Sequence, residues 1–314
     1  TTTHVSTKVD MPWGSATYIG GWDGIVNCEV KTAYVPQGIS LWEFGTTSDC
    51  KGKADDDYDK RKTNTLGFKP DECVFVFVTP RLWTKKVDWV TEKKAEGFWK
   101  DVVVYDSVNL EQWLDDTPSV SRWFAAQPGI GSCPYEEIMT AEEFWEEWSI
   151  GPKGIVLDPM SIVAGREYEM NLLNSVLSGE PSIKAVKAST KDEAVAFIIA
   201  CAKLFPENEG GLFFSKSLIV DTEAKYRGIR INTNSSLNLI PRFNNATPLY
   251  AAVSKGHHVL VPLGGDDDFN IDTIILPTID RDGQIEALEK AGFSKDEAEK
   301  YSRESGRNIT ILKR

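Results

Sequence analysis

The architecture of the first half of the chain follows from two apolar stretches, Cys73-Val-Phe-Val-Phe-Val-Thr79 and Asp101-Val-Val-Val-Tyr105. Each has the length and the β-branched and aromatic content of a buried strand, and Pro80 ends the first one. Residues 86–100 between them predict a helix. A strand, a helix and a further strand in this order are typical of a mixed α/β sheet.

The alternation of strands and helices extends in both directions. Residues 1–50 predict strands and turns, and residues 48–62 predict the first helix. Two short helices are expected over 109–114 and 119–126, and a second alternation begins near residue 155. It predicts strands over 183–188, 216–221, 236–241 and 258–263 and helices over 167–177, 191–204, 286–291 and 295–302. We therefore expect two α/β domains.

The composition is acidic, with 35 Lys and Arg against 47 Asp and Glu in 314 residues and a formal net charge of −12. This balance argues against a surface coated with basic charge, but the charge is unevenly spread. Residues 101–150 contain 1 basic and 11 acidic side chains, whereas residues 51–100 contain 12 basic and 9 acidic ones. The five Cys residues include no CxxC pair, which favours reduced thiols in the cytosol over disulfides or structural zinc. No apolar run is long enough to cross a bilayer.

Much of the acidity lies in residues 136–148, which also contain Phe144, Trp145 and Trp148. Thr140 and Glu143 have the spacing of a capping box, so a helix is expected after residue 140. One interpretation is an amphipathic connector with a solvated glutamate face. The other is a DNA mimic that covers the basic segment 81–94 until the protein is activated.

Two acidic residues lie at conspicuous positions, one in a turn between two apolar runs and the other within an apolar strand. Asp23 lies in the turn Gly21-Trp-Asp-Gly24, and Glu43 interrupts the hydrophobic run Ser40-Leu-Trp-Glu-Phe-Gly45. Carboxylates that meet at adjacent strand ends suit Mg²⁺, which takes hard oxygen ligands together with substrate phosphates. Such a metal polarises a phosphoryl group and supplies hydroxide, and a nearby lysine stabilises the charge that develops.

This order of residues resembles the restriction-endonuclease-like PD-(D/E)xK fold, which has an Asp on one strand and a (D/E)xK triplet on the next. Over about residues 10–126, the chain is similar to the Mrr-like nuclease effectors of bacterial antiphage proteins, including antiviral STAND (Avs-like) systems. The motifs that carry this resemblance are GWDG (21–24), WEFG (42–45), Lys53-Ala54, Asp57-Tyr58 and Arg61. The resemblance implies a Mg²⁺- or Mn²⁺-dependent DNA endonuclease of the bacterial cytoplasm, with Asp23 and Glu43 as catalytic metal ligands.

The chain departs from the family pattern at Gly45, where the triplet would have its lysine. Lys53 is the best replacement, since Lys53, Asp57 and Arg61 recur at i, i+4 and i+8 and share one helix face. That face either turns toward the carboxylates or is solvated and held by ion pairs. The two cases correspond to an active nuclease and to a catalytically inactive module that binds nucleic acid or protein partners.

Basic residues around this segment are candidates for holding DNA. They are Lys51, Lys60, Arg61, Arg81, Lys85 and Lys86. Trp83 and Trp89 are interleaved with the basic residues of 81–94, a composition that can grip a phosphate backbone and stack bases. The alternative is a loop and helix with a solvated basic face. Trp22 and Trp42 are expected to pack in the core.

The second half resembles a P-loop NTPase of the STAND type. Gly165-Arg-Glu167 with Leu172-Leu173 resembles its entry helix, Ser217-Leu-Ile-Val-Asp221 its Walker B strand, and residues 296–314 its helical lid. The glycines of a Walker A loop are missing from residues 184–194, and acidic residues follow Lys191. We therefore expect a degenerate nucleotide site near Lys191 and Asp221, weak or absent ATP binding, and a scaffold or sensor role.

The expected domains are a restriction-endonuclease-like domain (1–131), an acidic linker helix (132–154), an NTPase-like α/β domain (155–270) and a small helical lid (271–314). Residues 309–314 look like a strand in progress, so the natural protein is expected to continue. The expected partners are DNA, a phage-derived trigger or partner protein, and further copies of the chain. Binding to a membrane is not expected. A structural role is favoured for His257-His258 over metal binding, and a solvated loop for Asp266-Asp-Asp268 over a Ca²⁺ site.

Overall fold

The computed structural model describes residues 8–12, 20–29, 31–127, 138–229, 236–243 and 246–313. The chain divides into two compact units, Thr1–Asp115 and Asp116–Arg314. Each unit contains a sheet flanked by helices, which confirms the predicted α/β class. None of the helices within the described residues has the length and apolar character that crossing a membrane requires.

The first unit is built on five strands in the order β1-β2-β3-β4-β5. Its described elements are β1 (Lys8–Asp10), β2 (Gly24–Cys28), β3 (Gly38–Phe44), α1 (Cys50–Thr63), β4 (Cys73–Val78), α2 (Lys86–Ala95), β5 (Asp101–Tyr105) and α3 (Ser107–Asp115). β1, β2 and β3 pair antiparallel, whereas β3, β4 and β5 pair parallel. The two apolar stretches that predicted this sheet are β4 and β5.

β4 is buried along its whole length because helices cover both faces of the sheet. Phe75 and Phe77 pack with Tyr58 of α1 and Trp89 of α2. Val74, Val76 and Val78 form the opposite core with Trp42, and Leu110 and Trp113 of α3 pack against it. Trp22 and Trp42 are buried, as the sequence predicts.

The second unit contains a six-stranded sheet in the order β11-β7-β10-β9-β8-β6. Its strands are β6 (Met139–Thr140), β7 (Ile183–Lys187), β8 (Ser217–Val220), β9 (Asn238–Pro241), β10 (His258–Leu263) and β11 (Thr273–Ile275), and its helices are α4 (Pro118–Ala125), α5 (Ala141–Trp148), α6 (Met160–Val163), α7 (Glu167–Ser178), α8 (Lys191–Leu204), α9 (Glu207–Lys216), α10 (Glu223–Gly228), α11 (Ala246–Val253), α12 (Arg281–Lys290), α13 (Lys295–Glu304) and α14 (Ile309–Leu312). β6 runs antiparallel to β8, and the other neighbours are parallel.

The division between the units differs from the predicted boundary at residue 131. Ser119 of α4 donates a hydrogen bond to the carbonyl of Phe214, 2.8 Å away in the second unit. The acidic helix is no free linker either. β6 joins the second sheet, and Phe144, Trp145 and Trp148 of α5 are buried in that unit's core. The capping box between Thr140 and Glu143 forms as predicted.

Two expectations for the C-terminal part need correction. The predicted lid over 271–314 begins with β11, which pairs with β7 and so belongs to the sheet. Residues 309–312 form the helix α14 and not a strand, because the Asn308 side chain accepts from the backbone N–H groups of Thr310 and Ile311 and caps a helical turn.

Candidate active site

Asp23 and Glu43 lie together at one end of the first sheet. The last paired residues of β2 and β3 at this end are Gly24 and Trp42, so Asp23 stands opposite Glu43. Residues opposite each other in antiparallel strands point to the same face. The Phe44 backbone N–H also donates to Asp23 Oδ2 over 2.8 Å, which holds the Asp23 carboxylate at the end of β3.

Glu43 is 2% exposed and points toward α1, where it meets Arg61. Arg61 Nε donates to the Glu43 carboxylate, and Arg61 Nη2 donates to the carbonyl of Gly21. The guanidinium also lies over the Trp22 ring, 4.6 Å from its centroid. Arg61 is therefore an interior residue of the site, which corrects the expectation that it contacts DNA at the surface.

Burial is the main reason why the pKa of Glu43 rises from its ordinary 4.5 to about 7. The hydrogen bond and the charge of Arg61 lower this pKa, whereas the negative charges of Asp23 and Asp57 raise it further. Three carboxylates and one guanidinium therefore influence each other at this sheet end.

Lys53 packs beside Gly45, the position at which the predicted triplet would have its lysine. A Cβ atom built on Gly45 would come within 2.8 Å of Lys53 Cγ and within 2.6 Å of Phe77 Cζ. The aliphatic stem of Lys53 thus occupies the space beside position 45. Its Nζ is 2.6 Å from Asp57 Oδ1, and Asp57 is buried.

α1 brings these residues to the strand ends because its residues 53, 57 and 61 share one face. Asp49 caps the helix by accepting from the backbone N–H of Gly52 at 2.9 Å. Ala54 and Tyr58 beside this face are fully buried in the sheet core. The face is therefore turned inward, and the solvated-helix alternative does not hold for Asp57 and Arg61.

Several basic residues of the segment 81–94 are paired with acidic side chains, which the sequence does not indicate. Lys86 Nζ lies 2.5 Å from Asp106 Oδ1, and Lys93 is buried against Glu96 at 3.2 Å. Trp83 and Trp89 are core residues, so the interpretation in which they stack on bases is wrong. Four of the predicted DNA contacts are exposed: Lys51, Lys60, Arg81 and Lys85. Arg81 contacts the segment that follows β3, since its Nε donates to the carbonyl of Thr46 at 3.2 Å.

The donor atoms at this sheet end suit a hard cation, because Asp23, Glu43 and Asp57 supply carboxylate oxygens. Asp57 Oδ2 is buried and has no hydrogen-bond partner among the described residues. In the present conformation, the described ranges contain no group of three or more His, Cys, Asp or Glu side chains that could hold a metal ion. Mg²⁺ is commonly held by only one or two carboxylates together with water and phosphate, so Asp23 and Glu43 fit that need.

The predicted degenerate nucleotide site contains side-chain ion pairs. Arg242, which follows β9, lies 3.2 Å from Asp221 after β8 and 2.7 Å from Asp192 in the first turn of α8. Lys191 Nζ is 3.7 Å from Asp267. Thr190 caps α8 by accepting from the Glu193 N–H at 3.1 Å. The charged side chains at the predicted nucleotide site are thus paired with opposite charges of the same unit.

His257 and Asp267 are also used structurally. The backbone N–H of Leu237 donates to His257 Nδ1 at 3.1 Å, and the N–H of Gly264 donates to Asp267 Oδ2 at 2.7 Å. The pKa of the neighbouring His258 is lowered, mainly by burial. The contact of His257 agrees with the structural role expected for the two histidines, whereas Asp267, expected in a solvated loop, holds the backbone of that loop.

No protein-family model matches the chain, and a search of curated proteins finds no match either. Two residues of the two sites were not assigned these roles from the sequence: Asp57 as an acidic member and Arg242 as the partner of Asp221. Only Asp57 has a usable signal, because it lies one helical turn from both Lys53 and Arg61.

Proposed function

We propose that the first unit is a divalent-metal-dependent DNA endonuclease, the effector of a bacterial antiphage defence protein. The observation that supports this most is the position of Lys53, whose stem fills the space beside Gly45 at the sheet end that carries Asp23 and Glu43. A lysine supplied from α1 replaces one supplied from β3, so the missing triplet lysine does not by itself argue for an inactive site.

Asp23 and Glu43 would hold Mg²⁺ or Mn²⁺, and Lys53 would provide the third catalytic group. A metal held there would polarise the scissile phosphate and supply hydroxide. The Lys53 ammonium stabilises negative charge that develops on the phosphate, and Asp57 holds that ammonium in place. Arg61 keeps the Glu43 side chain oriented, because its guanidinium is anchored at Gly21 and over Trp22.

The net charge of the site favours a cation and a phosphodiester. Asp23, Glu43 and Asp57 carry three negative charges when ionised, and Lys53 and Arg61 carry two positive ones. The remaining charge of −1 is offset by a divalent cation, and the resulting +1 is offset by one DNA phosphate. Arg81, Lys51, Lys60 and Lys85 extend positive charge over the exposed surface of this unit.

The second candidate function is a catalytically inactive nuclease-fold module that binds nucleic acid or protein partners. The buried ion pair between Glu43 and Arg61 favours it, because the guanidinium already satisfies the carboxylate that a metal would need. The two functions differ in whether a metal can compete for Glu43.

For the second unit we propose a degenerate STAND-type, NTPase-like module that regulates the effector as a scaffold or sensor without ATP. Arg242 pairs with Asp221, the Walker B-like position that a Mg²⁺–nucleotide would need free, and also with Asp192. A phage-derived trigger or partner protein, or association of several copies, would then switch the nuclease on in the bacterial cytoplasm.

The test is cleavage of supercoiled plasmid with Mg²⁺ or Mn²⁺. Glu43→Gln is preferable to Glu43→Ala, since alanine would leave the Arg61 guanidinium buried without a partner and destabilise the unit. Lys53→Met keeps the packed stem and removes only the ammonium. We expect both variants to lose at least 100-fold in rate, whereas Lys69→Ala, which removes an exposed lysine paired with Glu72, keeps the activity.

Cleavage that persists in Glu43→Gln would refute this site. Cleavage that is lost in Glu43→Gln and unchanged in Lys53→Met would retain the metal site and remove Lys53 from it. Wild-type protein that binds plasmid but does not cut it with either metal would favour the inactive module.

A further inference from the structure

We propose that Asp57 is a third acidic residue of this site, with Oδ1 holding the Lys53 ammonium and Oδ2 taking a ligand position on the divalent cation. The inference rests on the proposed nuclease function and deepens it. It assigns a metal ligand to α1, outside the strand residues from which the carboxylates were predicted.

The position of Asp57 on α1 directs its carboxylate to the end of β3. Arg61, one turn later, contacts Glu43, and Lys53, one turn earlier, packs beside Gly45. Asp57 lies between them on the same face, so its side chain faces the short segment of β3 that includes Glu43 and Gly45. Asp23 reaches the same segment from β2 through the Phe44 N–H.

The two oxygens of Asp57 are not equally satisfied. Oδ1 is 2.6 Å from Lys53 Nζ, whereas Oδ2 is buried without a hydrogen-bond partner among the described residues. Asp57 as a whole is only 4% exposed, so water does not readily compensate. A buried carboxylate oxygen without a donor is costly and therefore calls for a functional explanation.

Asp55 on the same helix shows that the missing partner is specific to Asp57. Asp55 Oδ2 is 2.5 Å from Lys51 Nζ, and its Oδ1 accepts from Trp89 Nε1 at 2.8 Å. Both aspartates pair with the lysine four residues earlier, but only Asp57 keeps an oxygen available. Asp55→Asn is thus a matched control for Asp57→Asn.

Cation binding requires a small local rearrangement, because the three carboxylates do not form a ready metal group in the described residues. The Asp57 side chain can turn about its own torsions while Lys53, whose ammonium is at the end of a flexible stem, follows Oδ1. Glu43 can share its carboxylate between Arg61 and the cation, since Arg61 Nε engages Oε1.

The test is calorimetric titration of the metal-free chain with Mn²⁺ at pH 8, for wild type, Asp57→Asn, Asp55→Asn and Glu43→Gln. We expect Asp57→Asn to weaken Mn²⁺ binding at least tenfold and Asp55→Asn to change it less than twofold. Asp57→Ser, a smaller side chain without charge, is the second variant if the asparagine form does not fold. Thermal unfolding of each variant confirms that the protein titrated is folded.

The outcomes separate this inference from the proposed function. Mn²⁺ binding that is lost in Glu43→Gln and unchanged in Asp57→Asn and Asp57→Ser would overturn the role of Asp57 alone. Wild-type protein that does not bind millimolar Mn²⁺ would overturn the metal-dependent function and this inference together. An equal loss in Asp55→Asn would assign the effect to helix stability and would also overturn the role of Asp57.

Discussion

Replacement of Gly45 by alanine tests the link between the missing triplet lysine and Lys53. The added methyl group would meet Phe77 Cζ at 2.6 Å and Lys53 Cγ at 2.8 Å, both closer than ordinary van der Waals contact. Phe77 is fully buried in β4 and pairs in register with Glu43, so it cannot move away without disturbing the sheet. Lys53 can move, but only by withdrawing from the strand end.

The expected cost is that of inserting one methyl group into a packed core, about 1–3 kcal/mol. For a unit of this size, such a loss lowers the unfolding temperature by roughly 4–15 °C. Thermal unfolding can be followed by tryptophan fluorescence, since Trp22, Trp42, Trp83, Trp89 and Trp99 are buried in this unit. Gly20→Ala is the control, because nothing lies within 4 Å of the Cβ that it would add.

The same variant has a second, catalytic consequence. If Lys53 withdraws, plasmid cleavage falls together with stability, and Lys53→Met shows no further loss in the Gly45→Ala background. Gly45→Ala protein that unfolds within 1 °C of wild type would refute the packing argument. Gly45→Ala protein that is destabilised but fully active would separate the packing of Lys53 from its proposed role.

Four further outcomes are expected. Because the Glu43 pKa rises from about 4.5 to about 7 in the folded state, its contribution to the free energy of unfolding is complete below pH 4.5 and disappears as the pH rises through 7. This contribution is on the order of 3 kcal/mol. Between pH 5 and 8, the free energy of urea unfolding of the metal-free protein should therefore fall with pH in a way that it does not in Glu43→Gln. Parallel pH dependences of the two proteins would contradict this prediction. Arg81→Ala should weaken DNA binding and reduce the salt dependence of log K by about one, as measured by fluorescence anisotropy, and an unchanged slope would remove Arg81 from the interface. Mg²⁺–ATP at millimolar concentration should leave the unfolding temperature of the second unit unchanged, because Arg242 pairs with Asp192 and Asp221, and a clear rise would indicate nucleotide binding. Deletion of 136–148 should unfold the second unit, since Phe144, Trp145 and Trp148 are core residues. The DNA-mimic hypothesis is therefore better tested with the double variant Glu146→Gln/Glu147→Gln. Its DNA affinity should rise if these exposed carboxylates repel DNA.

The elements that sequence patterns predicted best are those whose burial is continuous. α8 and β10 have the bounds predicted for them, and α8 is buried over ten consecutive residues. α9 was missed because Gly210 and Gly211 lower its helix propensity, and β11 because three residues are too few to show a period. Tertiary packing stabilises both.

The unit boundary shows what a local pattern cannot supply. The sequence analysis predicted that the first domain ends at residue 131, whereas the structure divides the chain at Asp115, before α4. α4 has an ordinary amphipathic pattern that fits either unit. Its partners, α9 and β8, are about 90 residues away in the sequence, and one of them was not predicted at all.

For the site, the sequence indicated the two strand carboxylates because acidic residues are conspicuous in apolar strands. It left the direction of α1 undecided, because Lys, Asp and Arg at i, i+4 and i+8 suit a solvated face as well as a buried one. Ala54 and Tyr58 resolve the direction, since they turn α1 toward the sheet and carry Asp57 and Arg61 inward with them.

The absence of a lysine at position 45 and the placement of Lys53 belong to one packing arrangement, because the stem of Lys53 lies in the space beside Gly45. The Lys53 stem gains from packing beside Gly45 whatever the function of the unit, because burying its methylene groups is favourable in itself, and what the nuclease function adds is a use for the position of its charge. Here the space is filled by a lysine whose charge is held by Asp57, and position 45 has no side chain that would exclude it. Under the nuclease function proposed above, this arrangement supplies from α1 the basic group that β3 lacks, because chemistry at the phosphate depends on where the ammonium lies and not on the strand or helix that carries it.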